Sequence, residues 1–281
     1  MELRAGDGRV IAVEVIGDDD ATPVLLCHGL ADSRLTAQSL RQAARELGLR
    51  LIAPDRPGVG GTDRRWLHQL ADWADDAAAV LDVLRVDSAA LVGVSGGGPF
   101  AAACAARIPA RVRSLMLICP LGPAEWPTVG MAHGERLSLA LAAHAPAFGG
   151  WFMSRLAALA RRSPDIFLWL AATNLPDTDI RALQQPAIRE SFLTCYVEAF
   201  RRGGWGTAQD LRLLTRPWGF DLGSITAPTS IHHGDADTTV PVQHARLYAQ
   251  AIPGARLQIH PGEGHISILS HPQDILAALG E

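Results

Sequence analysis

Ala89-Ala90-Leu91-Val92-Gly93-Val94-Ser95-Gly96-Gly97-Gly98-Pro99 decides the fold of this 281-residue chain. Its first six residues are an uninterrupted apolar run, as in a strand buried on both faces. Pro99 then suits the first turn of a helix, where its fixed φ is already helical and its missing N–H is not needed. Ser95 therefore falls on a sharp strand-to-helix turn, with Gly93 two residues before it and Gly97 two after. Such a turn brings strand and helix backbones so close that a Cβ on either side has no room. The helix N-terminus behind Ser95 favours developing negative charge, and the Gly96 N–H is free to point at an oxyanion. A plain glycine-rich turn is the other reading, and the strand before and helix after argue against it.

Outward from this turn, further short apolar runs read as strands: Val10 to Ile16, Val24 to Cys27, Leu49 to Ala53, Leu115 to Cys119, Thr229 to His232 and Arg256 to His260. Between them, Leu35 to Leu47, Leu67 to Leu84, Pro99 to Arg107, Val242 to Ile252 and Pro272 to Leu279 carry apolar residues at helical spacing. Strand alternating with helix predicts an α/β fold, a mostly parallel sheet covered on both faces. The alternation fails from Pro120 to about Leu222, where proline- and glycine-broken helices hold most of the aromatic residues. The expected organisation is a core of residues 1–119 and 223–281 with a helical insertion over 120–222. Those aromatics either pack the insertion onto the sheet or line a cavity.

Composition removes whole classes. Hydrophobic residues make up 48% of the chain, enough for a sizeable core, and the net charge of -4 offers nucleic acid or anionic lipid no basic surface. All 25 cationic side chains are arginine, so Schiff-base chemistry and a phosphate-loop lysine are excluded. Cys27, Cys104, Cys119 and Cys195 are widely spaced and are expected to be reduced, buried thiols. With no leader-like pattern in Met1 to Val15 and no run of about 18 apolar residues, a cytoplasmic protein without membrane contact is expected.

A nucleophilic serine needs a base to take its proton and an acid to hold that base in the right tautomer. His265 lies in the loop Pro261-Gly262-Glu263-Gly264-His265, after the last candidate strand. Asp235 and Asp237 follow the strand before it, in His233-Gly234-Asp235-Ala236-Asp237, so the chain order is serine, aspartate, histidine. His232 and His233 invite a metal reading, but neighbours in a strand point to opposite faces and cannot share an ion, so no metal is expected. Gly96 and Gly98 come after several strands and lack a following acidic ribose ligand, which argues against NAD or FAD. No cofactor is expected.

These motifs together resemble the serine hydrolases of the α/β-hydrolase fold family, over most of the chain outside the insertion. Cys27-His28-Gly29-Leu30 is similar to the family's oxyanion loop, which implies the Leu30 N–H as a second donor beside Gly96. Asp55-Arg56-Pro57-Gly58-Val59-Gly60-Gly61-Thr62-Asp63 resembles its Asp-x-x-Gly-x-Gly-x-Ser turn, with Thr62 where serine is usual. The pattern Gly-x-x-Asp-x-x-x-Pro falls on Gly234, Asp237 and Pro241, which implies Asp237 as the acid and leaves Asp235 as a turn residue. The insertion then corresponds to a lid, or cap. Ser95 in place of a carboxylate sets aside the epoxide hydrolase and haloalkane dehalogenase branches, and the lack of lysine argues against hydroxynitrile lyases.

Hydrolysis of a small or medium apolar or aromatic ester through an acyl-enzyme is the expected function, with a small-molecule partner. Carbon–carbon bond hydrolysis is the alternative within the fold, and a ligand-binding receptor with little turnover the alternative outside enzymology. His28, Trp126, Phe148, Trp151, Trp205 and Ile266 are the residues expected to touch substrate. An iminopeptidase is disfavoured, because the insertion offers only scattered acids such as Glu190 and Glu198. His133, His144 and His244 are expected at the surface or in the lid, and the oligomeric state is not legible.

Overall fold

The computed structural model describes residues 1–280, and the side chains of all of them except 146–148 and 280. Eight strands form one sheet: β1 (Glu2–Arg4), β2 (Val10–Ile16), β3 (Thr22–Cys27), β4 (Leu49–Pro54), β5 (Ala89–Val94), β6 (Val112–Ile118), β7 (Thr229–Gly234) and β8 (Arg256–His260). Their spatial order is β1-β2-β4-β3-β5-β6-β7-β8. The contacts of β2 with β1 and β4 are antiparallel and all others are parallel. Central β4 and β5 are buried at every residue, whereas edge strand β8 alternates exposed and half-buried positions. Continuous apolar runs inside and alternation at an edge are what two-sided and one-sided burial require.

The pleat sends alternate residues to two separate cores. On one face Leu25, Leu91, Leu115 and Ile231 pack beneath Trp73, Phe100 and Tyr248 of α3 (Trp73–Val83), α4 (Gly98–Arg107) and α11 (Val242–Ala251). On the other, Val24, Leu26, Val92 and Met116 meet Ala37, Ala43 and Ile275 of α1 (Thr36–Ser39), α2 (Arg41–Glu46) and α12 (Pro272–Ala277). Between β6 and β7 come six helices, α5 (His133–His144), α6 (Pro146–Arg162), α7 (Pro164–Ala171), α8 (Asp177–Leu183), α9 (Pro186–Ala199) and α10 (Trp205–Leu214), with no strand among the described residues. Ion pairs Arg34–Glu198, Arg56–Asp210 and Arg202–Asp63 tie this helical stretch to the sheet domain.

Several elements differ from the sequence reading. β1 is an additional strand, fixed by antiparallel pairing of Glu2 with Ala12 rather than by its own three residues. The helix expected from Leu67 starts only at Trp73, because the Asp72 carboxylate accepts from the N–H groups of His68 and Gln69 and caps the turn before it. The helix expected over Leu35 to Leu47 is two short ones, α1 and α2. His244 is buried rather than at the surface: its Nδ1 accepts from the Gly122 N–H at 2.9 Å and its Nε2 donates to the Pro127 carbonyl at 3.0 Å. The four cysteines are free and buried. Among the described residues no helix is long and apolar enough to cross a membrane.

Candidate active site

In an open α/β sheet the crevice forms beyond the carboxyl ends of the strands, where the strand order reverses. Here that point lies between β3 and β5, which pair in parallel with Cys27 opposite Gly93. The turn after β3 carries His28-Gly29-Leu30 and the turn after β5 carries Ser95, so the two meet. Ser95 sits at φ +54°, a left-handed conformation unusual for a side-chain-bearing residue. A Cβ on Gly97 would lie 2.1 Å from the Cys27 carbonyl oxygen, and one on Gly93 2.7 Å from the Gly98 Cα, so both glycines are required by backbone approach. A Cβ on Gly96 would lie 3.1 Å from the Leu30 nitrogen, so the two turns meet closely beside Ser95.

The His265 Nε2 stands 2.9 Å from the Ser95 Oγ, and the His265 Nδ1 2.7 Å from the Asp237 Oδ2. The other oxygen of Asp237 accepts from the N–H groups of Thr239 at 2.8 Å and Val240 at 2.9 Å, and His233 Nε2 lies 3.3 Å from its Oδ2. Asp237 is buried; burial alone would raise its carboxyl, but His265 and His233 outweigh that and hold it well below the usual carboxylate range. Burial pushes the His265 imidazolium down, yet Asp237, with Asp179 and Glu135, outweighs it and the net shift is upward. Asp235 is exposed and its Oδ1 accepts from the Gly262 N–H at 2.7 Å, away from the imidazole. Of the two aspartates that the sequence offers, only Asp237 touches His265.

Cys119, Asp237 and His265 each have a ligand-type atom within 4.8 Å of the others. Burial, then Asp237, raises the Cys119 thiol well above its ordinary value, so it keeps its proton, while Asp237 and His265 are already bonded to each other. Two of the three atoms are thus engaged with each other without an ion.

Behind the His28–Leu30 turn, the Arg56 guanidinium is buried and donates to the carbonyls of His28 at 2.6 Å and Gly29 at 2.7 Å, and to Asp210 Oδ2 at 2.9 Å. Thr62 takes the serine's place without loss, since its Oγ1 donates to the Asp55 carbonyl and accepts from the Ala12 N–H, both at 2.9 Å.

Ser95 and His265 open into a cavity of about 1400 Å³ between the sheet and the inserted helices. Leu30, Leu121 and Ile266 form its floor, and Phe152, Leu156, Phe167, Leu168, Tyr196 and Phe200 its roof. Of the residues expected to touch substrate, Ile266 reaches this wall and Phe148 lies outside the described side chains. The other four are elsewhere among the described residues. His28 is buried behind the loop, its Nδ1 donating to the Gly29 carbonyl at 2.9 Å and its Nε2 accepting from the Arg56 N–H. Trp126 packs edge-on against Tyr248 at 5.0 Å, and Trp151 is 53% exposed beneath Arg155. Trp205 closes on Trp66 around a separate cavity of about 150 Å³. Helical spacing marks these rings as apolar but cannot say which face of a many-helix insertion they join. Two less exposed acids of the cavity were also missed: Asp32, after the His28–Leu30 turn, and Glu135 of α5 line it, together with the exposed Glu46 and Glu190. Burial raises the Asp32 and Glu135 carboxyls above their ordinary values.

Strand order, the strained serine turn and the crevice define an α/β enzyme fold. Residues 22–272 match the family described as "alpha/beta hydrolase fold", and the chain belongs to that family. It is accordingly a hydrolase. It is similar to the 2-hydroxymuconate semialdehyde hydrolase of Pseudomonas putida, 28% identical over 260 residues that cover 89% of this chain and 83% of the relative. Among solved structures it resembles a thermophilic esterase from Thermogutta terrifontis (TM-score 0.73, 22% identity, 100% of this chain and 96% of that one). An esterase from Exiguobacterium antarcticum is similar to the same degree (TM-score 0.72, 22% identity, 100% and 99%). At these identities the two esterases bear on the fold alone.

Proposed function

We propose that the protein is a serine hydrolase that cleaves an uncharged carboxylic ester with a small or medium apolar or aromatic group, through an acyl-enzyme on Ser95. The observation that carries this reading is the unbroken relay from the Ser95 Oγ through His265 to Asp237, at 2.9 and 2.7 Å. The Asp237 carboxylate accepts the Nδ1 proton, which leaves Nε2 as the acceptor facing serine. Ser95 attacks the carbonyl carbon as its proton passes to Nε2, and the N–H groups of Leu30 and Gly96 hold the oxyanion. His265 returns the proton to the leaving alcohol. Water, deprotonated by the same imidazole, then attacks the acyl carbon and releases the acid with Ser95 restored. No other co-reactant is needed.

In this reading the inserted helices, residues 120–222, act as a lid whose aromatic roof selects apolar groups. A second reading, carbon–carbon bond hydrolysis, has the Pseudomonas relative in its favour, since the compound in that name contains no ester bond. It also carries a carboxylate, for which the cavity offers no buried arginine among the described residues: Arg41 and Arg45, which reach it, occupy exposed positions on α2, and its acids Asp32 and Glu135 bring no opposite charge. An ester is therefore favoured. The test is hydrolysis of p-nitrophenyl esters of increasing acyl length beside Ser95→Ala. Serine-dependent turnover that falls beyond a limiting length supports the reading; no turnover of any ester by folded protein contradicts it.

A further inference from the structure

The loop that carries His265 is folded around a carboxylate from the inserted helices. Asp179 of α8 is fully buried, and among the described residues no arginine pairs with it. A carboxylate in that position requires strong hydrogen bonds to offset its lost hydration. It has three. The N–H groups of His265 (2.9 Å to Oδ2), Ile266 (2.9 Å to Oδ1) and Ser267 (2.8 Å to Oδ1) all donate to it. The same carboxylate explains the glycine before the histidine, because a Cβ on Gly264 would lie 2.3 Å from the Asp179 Oδ1. The Gly264 N–H turns away to the Ser267 Oγ at 2.8 Å.

We propose that Asp179 is a positioning residue for the hydrolytic reaction: it seats the backbone of His265 so that the imidazole meets Ser95 and Asp237 together, and thereby makes an assembled base depend on docking of the helical insertion. The inference rests on the serine-hydrolase reading. One of its three donors is the backbone of the base itself, so any displacement of the carboxylate moves the imidazole relative to the nucleophile. Its charge acts on the ring as well. The groups facing His265 are Asp237 after β7, Asp179 on α8, Glu135 on α5 and the Cys119 thiol after β6. Removing Asp179's charge takes away one of the anions that favour the imidazolium.

The experiment compares wild type, Ser95→Ala, Asp179→Asn and Gly264→Ala in ester turnover, in the acid limb of the kcat/KM profile, in the NMR titration of the His265 imidazole and in thermal unfolding. Asp179→Asn turns one acceptor atom into a donor that faces backbone N–H. It should lower kcat about 10- to 100-fold, the scale of a misplaced catalytic group, with KM within about threefold. The acid limb and the imidazole titration should both move to lower pH. Gly264→Ala keeps the charge but drives the carboxylate from its seat, and should also lower kcat at least about tenfold. Wild-type kcat and an unshifted imidazole titration in folded Asp179→Asn would overturn the inference, as would a loss confined to thermal stability. If Asp179→Asn does not fold, wild-type kcat in Gly264→Ala overturns it. Undiminished turnover in Ser95→Ala would instead overturn the serine-hydrolase reading, whatever the Asp179 variants do.

Discussion

Replacing Asp237 with asparagine should reverse the proton relay while leaving its geometry in place. The Asp237 Oδ1 is held by two backbone donors, Thr239 at 2.8 Å and Val240 at 2.9 Å, so an asparagine must keep its oxygen there. Its amide nitrogen then falls where Oδ2 now accepts from the His265 Nδ1 at 2.7 Å. Donor would face donor, and the imidazole would avoid this only by moving its proton to Nε2, the atom that must accept from Ser95. The wrong tautomer in an intact site lowers kcat by about 10³- to 10⁴-fold. At ~1.36 kcal/mol per decade, this is about 4 to 5.5 kcal/mol of transition-state stabilisation. The assay is steady-state ester hydrolysis, with thermal unfolding as a check that the variant is folded. Asp235→Asn is the control and should keep full activity, because that carboxylate only ties the Gly262 turn. A kcat for Asp237→Asn within about tenfold of wild type would refute the tautomer argument.

Two further outcomes follow from the same geometry. The His265 imidazolium is held above the ordinary value near 6.5, and the base must be neutral to act, so kcat/KM should fall as pH drops through an apparent pKa above 6.5. A profile flat through that range, measured at constant ionic strength, would remove His265 as the base. Asp210→Ala would leave the buried Arg56 charge without its partner and loosen its grip on the carbonyls of His28 and Gly29. Urea unfolding should show a loss of about 3–5 kcal/mol, and ester turnover should fall with it as the Leu30 amide drifts from the oxyanion.

The sheet was legible because inner strands such as β5 bury both faces and appear as unbroken apolar runs, while edge strand β8 shows alternation; β2, β5 and β8 fall at the residues expected. The serine turn was legible too, because the demand for Gly93 and Gly97 is local and printed in five residues. β1 was not, since three residues paired to an edge carry no periodicity of their own. The cavity wall was misread for a related reason. Which rings of α6, α7 and α9 point inward depends on how six helices cross one another, and spacing along any one of them is silent on that. Phe152, Phe167 and Phe200 therefore face the cavity while Trp126, Trp151 and Trp205 do not. Asp179 was hidden most completely: an aspartate in the first turn of a helix looks like an ordinary dipole partner, and its donors lie 86 to 88 residues away.

The central claim is covalent chemistry at one hydroxyl, and intact-mass analysis of the first turnover tests it most directly. Enzyme mixed with a p-nitrophenyl ester and quenched in acid within that turnover should carry one acyl group, mapped by peptide digestion to Ser95 and missing from Ser95→Ala. Turnover with no acylated Ser95 at any quench time, or turnover undiminished in Ser95→Ala, would contradict the account.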